Sequence, residues 1–201
     1  LYAQEKTDRM FMGWEVPAAW FQGANAGFII LLAVAIANFW AKRKLKGKEA
    51  TSLFKMGVGV IIMGIGFIYM VFATLQYESQ GSSAMYWLVL TYLFHTTGEL
   101  CLSPVSLSFF TKLAPARYMA LMMGVYWAAT GLGNKLAGVI GESSVQAGEL
   151  KVFGGLFLFA VSFGILVLLL LKPLKRLTHG AEDKEVDVHD QEAEGYELAD
   201  T

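Results

Sequence analysis

Ala84-Met-Tyr-Trp-Leu-Val-Leu-Thr-Tyr-Leu-Phe-His95-Thr-Thr-Gly98-Glu99-Leu-Cys101-Leu-Ser103-Pro104-Val-Ser-Leu-Ser-Phe-Phe110 decides the fold. Apart from His95 and Glu99, nothing in this stretch can carry a charge near neutral pH. A hydrocarbon layer of ~30 Å is crossed by about 20 helical residues, and this run exceeds that length. Inside such a layer every backbone N–H and C=O must pair within its own segment, so the run is predicted to be a helix. Four more stretches pass the same test: Phe21–Ala41, Met56–Leu75, Met119–Ile140 and Val152–Leu171. The chain is 55% hydrophobic and 16% charged, and its apolar residues are grouped rather than alternating. That grouping excludes a soluble globular domain and a β-barrel alike. The predicted class is all-α integral membrane, with five transmembrane helices.

Loop charges set the orientation. Lys42, Arg43, Lys44, Lys46, Lys48 and Lys55 lie between the first two stretches, Lys112 and Arg117 between the third and fourth, and Lys172, Lys175 and Arg176 after the fifth. The intervening loops 76–83 and 141–151 hold only Lys151. Short cytoplasmic loops are rich in Lys and Arg, so residues 1–20 are expected outside and the C-terminus in the cytoplasm. Residues 182–200 contain nine acidic residues against Lys184, leaving fifteen basic and eight acidic residues elsewhere. The basic surplus is too dispersed to indicate nucleic acid. Three parts are therefore expected: an outer lead-in over 1–20, a membrane portion over 21–175, and an acidic, disordered cytoplasmic tail over 176–201. With Leu1 at the start, no signal peptide and an outside N-terminus, the chain is expected to be the C-terminal piece of something larger. Cys101 is the single cysteine, so no intrachain disulfide forms.

Glu99 carries the chemistry. A carboxylate at mid-membrane depth costs on the order of 2.5–3.5 kcal/mol on the lenient insertion scale, so it is expected to face a cavity or a protein interior. A structural, hydrogen-bonded carboxyl is the bland alternative. His95, Glu99 and Ser103 recur at i, i+4 and are expected to share one polar stripe. Gly98 permits close backbone approach, and Pro104 removes a backbone hydrogen bond, so the two together read as a hinge. A lone His95 without metal-ligand neighbours reads as structural. Asn25, with Gln22, lies just inside the outer boundary and can bond a helix neighbour or a ligand. Gly57, Gly59, Gly64 and Gly66 read as packing positions, as do Gly124, Ala128, Gly131 and Gly138. Lys135 is expected to snorkel to the interface.

Three motifs resemble one known family. Gly98-Glu-Leu-Cys-Leu-Ser-Pro-Val-Ser-Leu-Ser-Phe-Phe-Thr-Lys-Leu-Ala-Pro115 is similar to the tenth-helix signature of the proton-dependent oligopeptide transporters (POT/PTR) of the major facilitator superfamily. Glu15-Val-Pro-Ala-Ala-Trp-Phe-Gln-Gly-Ala-Asn25 is similar to the entrance of the eighth helix, and Met122–Gly138 to the eleventh. The resemblance implies the C-terminal half of a major facilitator-type bundle, helices eight to twelve, with helices one to seven missing. It implies di- and tripeptide substrates, protons as coupling ion, no cofactor or metal, and a multi-pass protein of the plasma (bacterial inner) membrane. By this match Glu99 receives the peptide amino terminus and takes part in proton coupling, while Ser103, Asn25, and Tyr126 or Trp127 line the cavity. Ala26 departs from the family's frequent proline, and Trp127 stands one place after the expected tryptophan position. Two alternatives differ in class: the same fold carrying another solute, and a truncated transporter acting as a membrane interaction protein. An enzyme is not expected, because no nucleophile–base pair, metal cluster or phosphate loop is visible.

Overall fold

A computed structural model describes residues 2–48 and 50–178. The acidic tail expected over 176–201 lies outside the described residues from 179 onward. Each of the five apolar stretches corresponds to one long helix: α2 (Ala18–Leu45), α3 (Ser52–Gln80), α4 (Met85–Leu113), α5 (Met119–Ala147) and α6 (Glu149–Leu169), with Ala84 just before α4, and Leu170 and Leu171 just past the end of α6. Two short helices, α1 (Tyr2–Glu5) and α7 (Leu171–Leu177), flank them. Thr51 caps α3 by accepting the Phe54 amide at 3.2 Å. At its other end Gly81 turns the chain with φ +77°, donating its N–H to the Tyr77 carbonyl. Gly148, with φ +90°, alone separates α5 from α6.

Glycine spacing makes α3 the central helix. Gly57 and Gly64 are one heptad apart, as are Gly59 and Gly66, and the two pairs are offset by two residues. Two residues rotate a helix by about 200°, so the pairs lie on opposite faces. One face meets α6: a Cβ on Gly64 would stand 2.9 Å from Val161, and one on Gly57 2.9 Å from Leu168. The other meets α4, where a Cβ on Gly59 would reach within 2.8 Å of the Gly98 carbonyl. Gly98 answers from α4, since its Cβ would stand 2.5 Å from the Gly59 carbonyl. Backbone thus packs on backbone, the close approach that small residues allow between membrane helices. α2 lies across the remaining side of α4. The small residues of α5 behave otherwise. Gly124, Gly131 and Gly138 have nothing within 4 Å of an added Cβ, so the tight packing expected of them is not made among the described residues. α5 meets α4 through Tyr126, and its glycine side is covered by no described element.

Polarity is inverted relative to a soluble core. Ile30, Leu31, Val34, Leu158, Phe159 and Leu169 are exposed, whereas Thr74, Thr91, Thr96 and Ser106 are buried. Among the described residues α2, α3 and α6 are long and apolar enough to cross a membrane. α4 and α5 each have 29 residues, but polar groups dilute them: His95, Thr96, Thr97 and Glu99 in one, Thr130, Asn134 and Lys135 in the other. Helices that line a polar interior have this composition.

Residues 2–16 build a cap at the end of the bundle opposite the Lys/Arg-rich α2–α3 loop. β1 (Thr7–Asp8) pairs in parallel with β4 (Ser83–Ala84), and β2 (Met10–Phe11) pairs antiparallel with β3 (Trp14–Glu15). Met12 and Gly13, with φ +49° and +85°, form the two-residue turn between β2 and β3, the geometry that suits a tight hairpin. Lys6 Nζ meets Glu149 Oε2 at 2.9 Å, tying the cap to the start of α6. Phe21, Met70 and Leu88 form a small apolar core beneath, with Tyr2, Val16 and Phe153 packed against it.

Candidate functional site

The site is built where α2 crosses α4. Asn25 Nδ2 donates to Glu99 Oε2 at 3.4 Å, joining residues 74 apart in sequence. Thr96 Oγ1, fully buried, donates to Asn25 Oδ1. Its neighbours Thr91 and Thr97 instead return their hydroxyls to Trp87 and Leu93 carbonyls of their own helix, at 2.9 and 2.8 Å. Thr96 alone of the three crosses to α2. An ionised carboxylate can only accept, so Glu99 takes the amide N–H of Asn25; that turns the carboxamide oxygen toward Thr96, whose hydroxyl supplies it a proton. Sequence reasoning missed Thr96. The signal was its place one helical turn before Glu99, where side chains share a face.

Glu99 keeps acceptor capacity beyond the single Asn25 donor, since an ionised carboxylate offers about four lone-pair sites. It is half-buried, so a ligand ammonium can reach it.

The expected stripe of His95, Glu99 and Ser103 divides. His95 packs toward α3, its ring against Gly66 and edge-on to Phe67 at 4.6 Å. Its Nε2 is buried and has no hydrogen-bond partner among the described residues, and the ring lies in the α3–α4 seam rather than beside Glu99. The reason is angular. Positions 95, 98 and 102 present one side of α4 to α3, while 96 and 99 reach α2.

Ser103 and Pro104 are exposed, one turn further along α4. The Ser103 carbonyl accepts from Ser106 Oγ at 2.9 Å, and Ser106 Oγ lies 3.1 Å from Tyr126 Oη on α5. Phe110 stacks edge-on against the Tyr126 ring at 5.2 Å. Tyr126 is thereby fixed to α4, whereas Trp127 is 62% exposed and lies edge-on to the Tyr126 ring. α4 runs unbroken through Pro104. The missing proline N–H leaves the Leu100 carbonyl without its intrahelical donor, just past Glu99. The Gln22 side chain lies outside the described ones, and among the described residues no group of three His, Cys, Asp or Glu could hold a metal.

A glycine-tightened bundle with apolar residues outside and a carboxylate on a polar inner helix defines an α-helical integral membrane protein of the major facilitator type. Residues 1–151 match the model of the POT family, and the chain belongs to that family. It is 37% identical to a peptide transporter of Yersinia enterocolitica over 92% of this chain and 37% of that protein. It is 29% identical to a di-/tripeptide transporter of Lactococcus lactis subsp. cremoris over 82% of this chain and 33% of that protein. The fold superposes on the crystal structure of a peptide transporter POT in complex with sulfate with TM-score 0.79 and 31% identity, covering 88% of this chain and 35% of that one. A POT family transporter in complex with a thioalcohol-conjugated peptide gives TM-score 0.76 at 27% identity, over 86% of this chain and 36% of that one. The chain thus spans about a third of the length of these relatives.

Proposed function

We propose that these residues are one wall of the central cavity of a proton-coupled symporter that carries di- and tripeptides into the cell. The observation that supports it most is the Asn25–Glu99 pair across α2 and α4, in a family whose named relatives are peptide transporters. Glu99 holds the peptide ammonium as a charge-assisted hydrogen bond, and gives that position to a proton when the peptide leaves. Asn25 supplies an amide that can turn from Glu99 to the peptide backbone. Ser103, exposed on the next turn, and Tyr126 extend the polar surface toward the peptide body, and Trp127 adds aromatic area beside them. Gly98, pinned against Gly59, is the fulcrum on which α4 pivots, and Pro104 is the loosened point beyond it. The chain spans only part of its relatives' length, and the rest of the cavity wall would come from the part it does not span. Loop charges favour a multi-pass placement in the plasma (bacterial inner) membrane, with residues 1–20 outside, residues 21–175 in the bilayer and the C-terminus cytoplasmic.

The test is uptake by the full-length protein in proteoliposomes under an inward proton gradient. Glu99→Gln is expected to abolish concentrative dipeptide accumulation with the protein still folded and inserted. Accumulation at the wild-type level would overturn the role of Glu99. Competition by unlabelled dipeptides separates peptide transport from carriage of another solute.

A further inference from the structure

The end of the bundle away from the cap holds a cavity of about 1020 Å³ between the α2–α3 loop and α7. Arg43 at the end of α2, Lys48 in the loop, and Lys172 and Lys175 on α7 bring four cations to its wall. A fifth, Arg176, also lines the cavity but already has a partner. Lys172 and Lys175 stand three residues apart, a spacing that sets both on one face of α7. No acidic side chain is among the described lining residues. Arg43 Nε is buried and has no hydrogen-bond partner among the described residues, so its N–H is a donor lacking an acceptor. The Arg43 guanidinium also lies 5.9 Å from the Phe39 ring, a contact that supplies no acceptor oxygen. Thr51 lines the same cavity and caps α3 through a lone pair, which leaves its hydroxyl proton to give.

Phosphate oxygens would answer each of these groups, and the surroundings decide which phosphate. Phe54, Leu171 and Pro173 give the cavity an apolar wall. Leu45, Leu169 and Leu177 are exposed at the ends of α2, α6 and α7. The three helices long and apolar enough to cross a membrane, α2, α3 and α6, each have an end here, so the cavity lies where headgroups meet acyl chains. A free anion gains nothing from the apolar wall. A phospholipid sets its phosphodiester among the cations and the upper part of an acyl chain against Phe54 and Leu171. A zwitterionic lipid would bring an ammonium among four cations with no carboxylate to receive it, so the field selects a lipid of net negative charge. Basic pockets at helix ends hold lipid headgroups in this way. We propose that this cavity binds the headgroup of an anionic phospholipid, with Arg43, Lys48, Lys172 and Lys175 around the phosphodiester and Thr51 donating to it. The site rests on the membrane placement of these helices and does not depend on the peptide-binding role of Glu99.

Photolabelling tests it on the full-length protein in nanodiscs of phosphatidylcholine. A small share of the lipid is replaced by phosphatidylglycerol carrying a photoactivatable group beside the phosphate, or by a phosphatidylcholine control carrying the same group. Mass spectrometry of the digested protein then locates the label. The phosphatidylglycerol probe is expected to label residues 43–54 and 171–176 at least about fivefold more than the control does. Excess inorganic phosphate should leave that enrichment in place. Arg43→Gln/Lys172→Gln/Lys175→Gln should abolish it, whereas Lys112→Gln/Arg117→Gln, between α4 and α5, should not. The comparison of the two probes needs no substitution, so a variant that misfolds leaves the test intact. Equal labelling of these segments by both probes overturns the proposal, as does an enrichment that survives loss of the three cations. Displacement of the probe by inorganic phosphate assigns the cations to a free anion and overturns it equally.

Discussion

At the scale of single residues, Asn25 joins a donor on one side to an acceptor on the other. The Thr96 hydroxyl donates to Asn25 Oδ1, and only that orientation points the amide N–H at Glu99. Thr96→Val is nearly isosteric and removes the donor, leaving Asn25 Oδ1 without its partner and the carboxamide held by Glu99 alone. Losing one such bond costs about 0.5–1.5 kcal/mol. Peptide KM is therefore expected to rise roughly 2- to 12-fold in Thr96→Val, with folding retained and Thr96→Ser restoring the wild-type value. Uptake kinetics on the three proteins decide it. The sequence offered Asn25 two partners, a helix neighbour or a ligand, and the structure supplies a third party in α4. Thr96 escaped notice because threonines inside helices usually bond back to their own backbone, as Thr91 and Thr97 do here.

Elements pack here by glycine, so their substitutions separate cleanly. Gly59→Ala and Gly98→Ala each push a methyl group toward the partner's carbonyl at 2.8 and 2.5 Å, where backbone must yield. Overpacking of this kind costs typically 1–3 kcal/mol. Gly131→Ala meets nothing within 4 Å, and alanine favours the helix, so no loss is expected there. Thermal unfolding in detergent should show lower midpoints for the first two variants only. The five helices were legible in the sequence because a bilayer demands length and apolarity, and both are local properties of a segment. Their partners were not legible. Gly57, Gly59, Gly64 and Gly66 could be recognised as packing positions, but which pair faces α4 and which faces α6 depends on the three-dimensional arrangement. The same limit explains the open glycines of α5 and the departure of His95 from the stripe of Glu99.

For the whole molecule, the cap ties one end of α3, α4 and α6 together. Lys6 is the pivot of the cap. Its hydrogen bond to Glu149 raises its pKa above the ordinary lysine value of 10.5, outweighing the lowering effect of burial. A raised lysine pKa means the ion pair's stabilising contribution is fully present below the unfolded value and disappears as pH rises through the folded one. The unfolding midpoint of wild type should therefore exceed that of Lys6→Met by a constant amount from pH 6 to 9. The gap should close only above about pH 10.5. A gap that closes below pH 9 would place the stabilisation elsewhere. The apolar blocks announced a membrane protein, but residues 2–16 read only as a lead-in. Their order comes from the long-range pairing of β1 with β4 and of Lys6 with Glu149, which no local pattern discloses.

The central claim is that Glu99 receives the amino terminus of a peptide. It is tested most directly by a cycle between that carboxylate and the ligand amine. Binding of dialanine and of its desamino analogue is measured by calorimetry, on the full-length wild type and on Glu99→Gln. Close, partly buried charge pairs couple by about 1.5 kcal/mol or more, so wild type should prefer dialanine at least roughly tenfold over the analogue. Glu99→Gln should bind both about equally. A Glu99→Gln protein that keeps the full wild-type preference for the amine would contradict the claim.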